Sequence, residues 1–264
     1  IVVSERGVDP DRGETRRLAD RLLRPLTDAY IGNSADVAEF IRSSHRIEAA
    51  DPRVFEVGNG IDTGVFYPAP VKPGSGPIRL ITASRLVASK RLDFAVEILR
   101  RLTRSREAEL LVIGDGPERP HLEHLAQELP VRFVGHVSER LELADMLRGA
   151  DVFLMTSETE GLPNAILEAL SCGIPVVASD APGVRNAAGV GVTLIDGDED
   201  VWCRAILDAA RRGRSSEPLG NNRVSSFDQV ARRHLEVFHW ALQRRQGEAI
   251  RRRKLGNSTF TEVL

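Results

Sequence analysis

The sequence is poor in several kinds of residue, and each scarcity narrows the classes of protein it can encode. Two cysteines, Cys172 and Cys203, occur among 264 residues, which excludes a disulfide framework and fits a reducing compartment. Aromatic residues make up 5% of the chain, too few for a surface built on stacking against nucleic-acid bases. No apolar run approaches the roughly 18–20 residues of a membrane-spanning helix.

The chain also lacks an excess of charge of either sign. It carries 36 lysines and arginines against 38 acidic residues, so we expect no nucleic-acid partner. Lysine itself is rare: Lys72, Lys90 and Lys254 are its only occurrences, so a lysine within a motif stands out. The six histidines are scattered, and no metal site is predicted.

The middle of the chain alternates short apolar segments with segments of helical spacing. The strand-like segments are Arg79–Ala83, Glu109–Ile113, Val131–Val134, Asp151–Met155, Pro175–Ala178 and Val192–Ile195. This alternation predicts an α/β fold with a doubly wound parallel sheet from about residue 78 to residue 212. Ligands of such sheets bind outside the carboxyl ends of the strands, so the residues after each strand are the candidates for chemistry.

The sequence on either side of this sheet indicates that those regions form structure outside it. Residues 67–77 hold four prolines and two glycines, which is typical of a linker. The predicted organisation is therefore a first domain over residues 1–66, this linker, a ligand-binding Rossmann-like domain over 78–226, and a C-terminal helix and tail over 227–264.

Two glutamates and a predicted helix start form the most informative segment. Glu160 precedes the helix and Glu168 lies about one turn inside it. The segment Gly161–Asn164 presents the N–H groups of a helix start, which attract phosphate. Carboxylates would repel phosphate, so their natural partners are hydroxyl groups. Together these features indicate a ligand that carries both phosphate and sugar.

Two basic residues follow the first strand of the predicted sheet. Arg85 and Lys90 lie after its carboxyl end, where cations can neutralise a diphosphate. A single arginine or lysine is more often a solvated surface charge. In combination with the glutamate segment, however, the two basic residues favour a binding role.

Several motifs follow one another in a fixed order along the chain. They are Asn59-Gly60-Ile61-Asp62, Arg85 to Lys90, Gly114-Asp115-Gly116-Pro117, Phe133-Val134-Gly135-His136-Val137, the Glu160–Glu168 pair, and Gly173-Ile174-Pro175-Val176-Val177-Ala178. In order and spacing, this set resembles the retaining glycosyltransferases of family GT4, which have the GT-B fold of two Rossmann-like domains.

The resemblance implies a role for each candidate residue. Arg85 and Lys90 would bind the diphosphate of a nucleotide-sugar donor, and Glu160 would contact the donor sugar near the reacting carbon. Glu168 would bind the ribose hydroxyls, and the main chain at Val137 would meet the nucleobase. The remaining donor-binding candidates are Gly161, Leu162, Pro163 and Asn164. No cofactor or metal is expected, because two cations can stabilise the departing diphosphate.

The resemblance also implies a reaction. We expect transfer from a UDP- or GDP-sugar to a glycan or lipid-linked acceptor, with retention, in polysaccharide or glycoconjugate biosynthesis. One alternative is a non-catalytic subunit or domain that binds a nucleotide sugar, and another is a sugar-nucleotide epimerase. Because the sequence starts at Ile1 and residues 1–66 resemble only the end of an acceptor domain, we expect a partial chain that binds donor but transfers poorly.

Some segments leave two interpretations open. Leucines and arginines in residues 16–26 suit peripheral association with a membrane, but a solvated helix face packed on its own domain is the more common reason for such a pattern. The expected location is cytoplasmic, with any membrane contact at the cytoplasmic face of the inner membrane. The Gly114–Pro117 motif lacks the third glycine of a dinucleotide fingerprint and predicts a tight turn. Gly183 and Arg185 could line the acceptor side. Ser138 is the expected N-cap of a helix that ends at Gly149.

Overall fold

The computed structural model describes residues 1–7, 13–70, 76–220 and 225–258, and it divides into two compact units. The first unit contains residues 1–58 and the chain from Asp228 onward, and the second contains Asn59–Phe227. Residues 71–75 of the predicted linker and residues 259–264 of the predicted tail lie outside the described residues.

The first unit is built on a small parallel sheet. Its strands are β1 (Val2–Glu5), β2 (Ala29–Gly32) and β3 (Val54–Glu56), in the order β1-β2-β3. Two helices, α1 (Glu14–Leu23) and α2 (Ala35–His45), connect them, and a 3-10 turn follows α1. Ser34 caps α2, because its Oγ accepts a hydrogen bond from the N–H of Val37 at 3.3 Å.

Helix α1 exposes apolar side chains. Leu18, Leu22 and Leu23 each leave more than half of their surface exposed, and Leu26 in the following turn does the same. Peripheral association with a membrane through this segment stays a prediction. No helix in the described parts of the chain is both long and apolar enough to cross a bilayer.

The second unit contains a parallel sheet of six strands in the order β10-β9-β8-β5-β6-β7. These strands are β5 (Ile78–Ala83), β6 (Ala108–Ile113), β7 (Val131–Gly135), β8 (Val152–Met155), β9 (Val176–Ser179) and β10 (Val192–Ile195). When only the six strands of this sheet are numbered along the chain, the order from β7 to β10 is 3-2-1-4-5-6, that of a doubly wound sheet. A two-stranded parallel pair, β4 (Gly60–Ile61) with β11 (Ser225–Ser226), completes the unit.

Helices cover both faces of the six-stranded sheet. They are α3 (Leu92–Leu102), α4 (Arg119–Leu125), α5 (Arg140–Gly149), α6 (Asn164–Ser171) and α7 (Glu199–Arg212). One core lies under α5 and α6 and the other under α3, α4 and α7. Because both faces are covered, β8 is apolar along its whole length, and Phe153 at its centre is fully buried.

The C-terminal helix α8 (Phe227–Ser258) packs on the first unit. Its Val237 and Ala241 pack against Ala29 and Ile31 of β2, while Tyr30 between them points to the other face of the sheet. That this unit is part of an acceptor domain stays a prediction.

Two details of the structure differ from the sequence expectations. The predicted domain boundary at residue 66 lies too far along the chain, because Ile61 and Phe66 are buried in the core of the second unit. The predicted N-cap of α5 is also wrong: the helix starts at Arg140, and the capping position falls on Glu139 without a side-chain hydrogen bond.

Candidate functional site

The two halves of the six-stranded sheet meet between β5 and β8, and the candidate residues gather at this switch point. Lys90 ends a 3-10 turn after β5, and Glu160 lies in the loop after β8. The Lys90 Nζ lies 2.6 Å from Oε1 of Glu160, and both side chains are about 15% exposed. Crevices at switch points are where open α/β sheets bind ligands, so the pair occupies the expected position.

Hydrogen bonds to main-chain groups fix the loops that carry this pair. The Oγ1 of Thr156 donates to the carbonyl of Lys90 at 2.9 Å. The N–H of Glu158 donates to the carbonyl of Ser89 at 3.0 Å. The N–H of Glu160 donates to the carbonyl of Pro182 at 2.9 Å. The loops after β5, β8 and β9 are therefore tied together beside Glu160.

Gly183 allows the closest of these approaches. Its φ is +79°, in the region that favours glycine, and a Cβ built on it would overlap the carbonyl oxygen of Glu160. The sequence suggested Gly183 only as a possible lining of the acceptor side. The structure shows that it packs directly beneath the Glu160 loop.

Glu168 is buried on α6, the helix that follows the Glu160 loop. It is 9% exposed, and burial raises the pKa of its carboxyl from 4.5 to about 7, opposed by the charge of Arg140. The Nη2 of Arg140 lies 3.9 Å from Oε1 of Glu168. A carboxyl of this kind is close to half-protonated near neutral pH and can either accept or donate hydrogen bonds.

Arg140 is a site residue that the sequence reasoning missed. Its guanidinium carbon lies 5.0 Å from the ring centre of Phe66 and 5.8 Å from that of Phe227. These cation–π contacts hold Arg140 near Glu168. Its place at the start of α5, just beyond the carboxyl end of β7, was the available signal in the sequence.

Arg85 lies in an exposed loop directly after β5. The Gly114–Pro117 turn supports this loop: the N–H of Leu86 donates to the carbonyl of Asp115 at 2.9 Å. Cβ atoms at Gly114 or Gly116 would overlap main-chain atoms of the Arg85 loop, so glycine is required for this approach. The turn predicted for this motif therefore positions Arg85.

The start of α6 is held by a buried side chain from the beginning of the second unit. The Nδ2 of Asn59 donates to the carbonyl of Leu162 at 3.1 Å and to Oδ1 of Asn164 at 2.7 Å. Pro163 is buried, and Gly161 directly follows Glu160. The segment Gly161–Asn164 thus lies beside the Lys90–Glu160 pair, as expected.

Val137 lies apart from this group. It follows β7, the outermost strand, which β5 and β6 separate from β8. Its side chain packs against the core under α5 and α6. The structure therefore places Val137 at the same end of the sheet as the charged pair, but after a strand that lies two positions away from β5.

The raised pKa of Glu168 predicts a pH-dependent stability. Between pH 4.5 and about 7 the folded protein holds a proton on Glu168 that the unfolded chain has lost. The free energy of unfolding should therefore fall by up to about 3 kcal/mol as the pH rises through this window, and Glu168→Gln should remove that fall.

Urea unfolding at a series of pH values measures this effect. A Trp240→Phe background leaves Trp202, which is buried in the second unit, as the fluorescent reporter. The matched control is Glu142→Gln, at an exposed position on α5. If the free energy of unfolding of Glu168→Gln changed with pH in the same way as that of the parent, Glu168 would not be the group responsible for the pH dependence.

Within the described ranges, no group of three or more histidine, cysteine or acidic side chains is arranged to hold a metal ion. Independence from metal stays an expectation.

Comparison with known proteins places these features in a family. Residues 77–212 match the family model described as Glycosyl transferases group 1. The chain is 31% identical over 227 residues to an Arabidopsis thaliana protein, one of the subunits of phosphatidylinositol N-acetylglucosaminyltransferase, covering 79% of this chain and 51% of that protein. It is 34% identical over 166 residues to a GDP-mannose-dependent phosphatidylinositol dimannoside mannosyltransferase of Mycobacterium tuberculosis, covering 62% and 41%. The chain thus spans about half the length of these relatives.

Solved structures show the same fold at low identity. HepE of Anabaena in complex with UDP-glucose matches with a TM-score of 0.69 at 18% identity, covering 90% of this chain and 71% of that one. A glycosyltransferase from Rickettsia africae matches with a TM-score of 0.72 at 16% identity, covering 91% and 70%. The α/β, GT-B-like fold predicted from the motifs is confirmed by these matches.

Proposed function

Since the chain belongs to the glycosyl transferases of group 1, the GT4-type enzymes, we propose that its second unit binds a nucleotide-diphosphate sugar and supports transfer of the sugar with retention of configuration. The observation that carries this proposal is the Lys90–Glu160 ion pair at the switch point, followed along the chain by the buried Glu168 on α6. A sugar nucleotide carries a diphosphate, which a cation such as Lys90 can bind, and hydroxyl groups, which the carboxylates of Glu160 and Glu168 can bind.

The ion pair suggests how donor binding would begin. Lys90 leaves Glu160 and binds the donor diphosphate, with Arg85 supplying a second cation from its exposed loop. Glu160 is then free to accept hydrogen bonds from the hydroxyl groups of the donor sugar. Without ligand, the two side chains neutralise each other, so neither charge is left unpaired in the crevice.

The same residues would act in the transfer step. The bond between the anomeric carbon and the diphosphate oxygen breaks, and its electron pair leaves with the diphosphate. The acceptor oxygen bonds to the same face of that carbon, and its proton passes to the departing phosphate oxygen. Lys90, Arg85 and the helix start at Asn164 stabilise the growing negative charge, so no metal is needed.

Glu168 would bind the nucleoside. Among the residues that the structure describes, its carboxyl makes one ion pair, with Arg140 at 3.9 Å, which leaves carboxyl oxygens for the two ribose hydroxyls. The main chain near Val137 lies farther along the strand ends, where it would meet the base. GDP-mannose serves the mycobacterial relative and UDP-glucose is bound in the HepE structure, so we propose UDP or GDP as the nucleotide. The proposed acceptor is a glycan or lipid-linked saccharide.

Nucleotide binding and donor consumption test this proposal together. UDP, GDP and ADP are compared for their ability to raise the melting temperature, because a ligand of the folded state stabilises it by mass action. Labelled UDP-glucose and GDP-mannose are then followed for hydrolysis or transfer. Protection by no nucleotide would overturn the proposal. Protection without turnover, in a chain that includes the remaining half of its relatives' length, would favour the non-catalytic alternative.

Lys90→Met should weaken binding of the preferred nucleoside diphosphate about tenfold, as measured by titration calorimetry. A charge-assisted hydrogen bond contributes about 1.5–3 kcal/mol, and the lower figure applies because Lys90 must first leave Glu160.

Arg91→Met is the matched control for Lys90→Met. Arg91 is the next residue, but its side chain pairs with Asp93 and Glu158. Equal losses in the two variants would show that only the overall charge of the loop matters.

A further inference from the structure

A cavity lies at the end of the six-stranded sheet opposite the Lys90–Glu160 pair. It has a volume of about 820 Å³ and is lined by residues at the amino ends of β5 and β6 and at the end of α7. This volume lies within the roughly 300–1,000 Å³ of small-molecule sites. A six-residue strand such as β5 spans about 20 Å, so the cavity is well separated from the Lys90–Glu160 crevice.

The cavity lining carries an excess of positive charge. Its charged residues are Arg79, Arg106, Arg211, Arg214, Glu109 and Asp151. Arg79 and Asp151 neutralise each other through two hydrogen bonds, of 2.8 Å from Nη2 and 3.2 Å from Nε. Of the remaining charged residues of the lining, three are arginines, Arg106, Arg211 and Arg214, and one is acidic, Glu109.

Two of these three arginines are accessible at the surface. Arg211 pairs at 3.1 Å with Asp208, an exposed neighbour on α7 that does not line the cavity. Arg106 is exposed and makes no side-chain ion pair or hydrogen bond with any residue that the structure describes. Both guanidinium groups are therefore available to a ligand.

Arg214 is the third, and its guanidinium is largely inside the protein. One nitrogen donates to the carbonyl of Arg148, whereas Nε and Nη2 are buried without an acceptor among the described residues. Burial lowers the pKa of Arg214, and the negative charge of Asp151 opposes this effect only in part. A buried cation without a full complement of partners is costly, and an anion in the cavity would offset that cost.

We propose that this cavity binds a small phosphomonoester. The dianionic phosphate lies between the exposed guanidinium groups of Arg106 and Arg211, and the buried charge of Arg214 attracts it from within the protein. Together these three positive charges exceed the negative charges of Glu109 and Asp208 by one. The organic part of the ligand packs on Ile78, Leu207 and Ala210, the apolar part of the lining. This site is separate from the proposed nucleotide crevice and stands whether or not that proposal holds.

Titration calorimetry with inorganic phosphate and with phenyl phosphate tests the site. An Arg85→Ala/Lys90→Ala background keeps phosphate binding in the nucleotide crevice from contributing. Phenyl phosphate should bind more tightly than inorganic phosphate, because only the ester reaches the apolar wall. Absence of binding by either probe at millimolar concentration would overturn the proposal.

Arg106→Ala should weaken phenyl phosphate binding about tenfold, and Arg104→Ala, two residues away and outside the cavity, should change it less than twofold. Arg211→Ala should act like Arg106→Ala. Equal losses in Arg104→Ala and Arg106→Ala would mean general electrostatic attraction and would also overturn the site.

Arg214→Met provides a second, independent readout. Phenyl phosphate should raise the melting temperature of the parent but not of this variant. If the variant still gains the same thermal protection, Arg214 is not part of the site and the proposal fails.

Discussion

Glu160→Gln should lower donor turnover by about 10²–10³-fold while tightening the binding of free UDP or GDP about fivefold. The two effects have opposite signs because Glu160 has two partners. In the proposed transition state its charge stabilises the electron-poor sugar, and losing such a group costs rate. Without donor it holds Lys90 at 2.6 Å, and glutamine releases that ammonium for the diphosphate.

Glu158→Gln is the matched control for this experiment. Glu158 lies two residues earlier in the same loop, and its side chain is 57% exposed and pairs with Arg91 instead of Lys90. It should leave both turnover and diphosphate affinity within about twofold of the parent. Donor hydrolysis gives the turnover, and titration calorimetry gives the affinity. Should Glu160→Gln weaken diphosphate binding, Lys90 and Glu160 would not compete in the proposed way.

Gly183→Ala should reduce donor turnover by about a hundredfold. A methyl group at this position would overlap the carbonyl oxygen of Glu160, and the backbone φ of +79° disfavours alanine. The Glu160 loop must then move by on the order of 1 Å, and a misplacement of that size can cost about 10²-fold in rate. The substitution changes no charge, so any loss of turnover reports the position of the Glu160 carboxylate and not the loss of its charge.

Gly149→Ala is the control for the glycine substitution. Gly149 ends α5, and a Cβ there would meet no atom within 4 Å. Both variants are compared in donor hydrolysis and in urea unfolding. Turnover by Gly183→Ala equal to that of Gly149→Ala would show that the contact beneath the Glu160 loop is not needed for the site.

Much of the second unit could be predicted because its signals are local. Apolar segments such as β8 are covered on both faces and form continuous runs, and α3 shows the spacing of a helix buried on one side. The predicted strand ends then point to Lys90 and Glu160 as site residues, since open α/β sheets bind their ligands outside the carboxyl ends of the strands.

Contacts between residues distant in sequence could not be predicted in the same way. The ion pair between Lys90 and Glu160 depends on β5 and β8 being neighbours, which follows from the strand order and not from either motif. Arg140 is held at the site by the rings of Phe66 and Phe227, which lie far from it in sequence, one before it and one after it. The domain boundary was misplaced for the same reason, because Phe66 packs in a core formed by much later segments.

The way in which the loops around Glu160 are joined bears on how this site can change. The carbonyl groups of Ser89, Lys90 and Pro182 accept the bonds that connect these loops, and the side chains of these residues take no part in those bonds. Apart from the hydroxyl of Thr156, which donates one of these bonds, the frame consists of main-chain groups and depends weakly on which side chains project from it. If the site binds a donor sugar as proposed, substitutions at Ser89 or at exposed positions of the loop after β9 should alter which sugar is accommodated while the backbone that holds Glu160 keeps its geometry. A scaffold of this kind can diversify in specificity at little cost in stability.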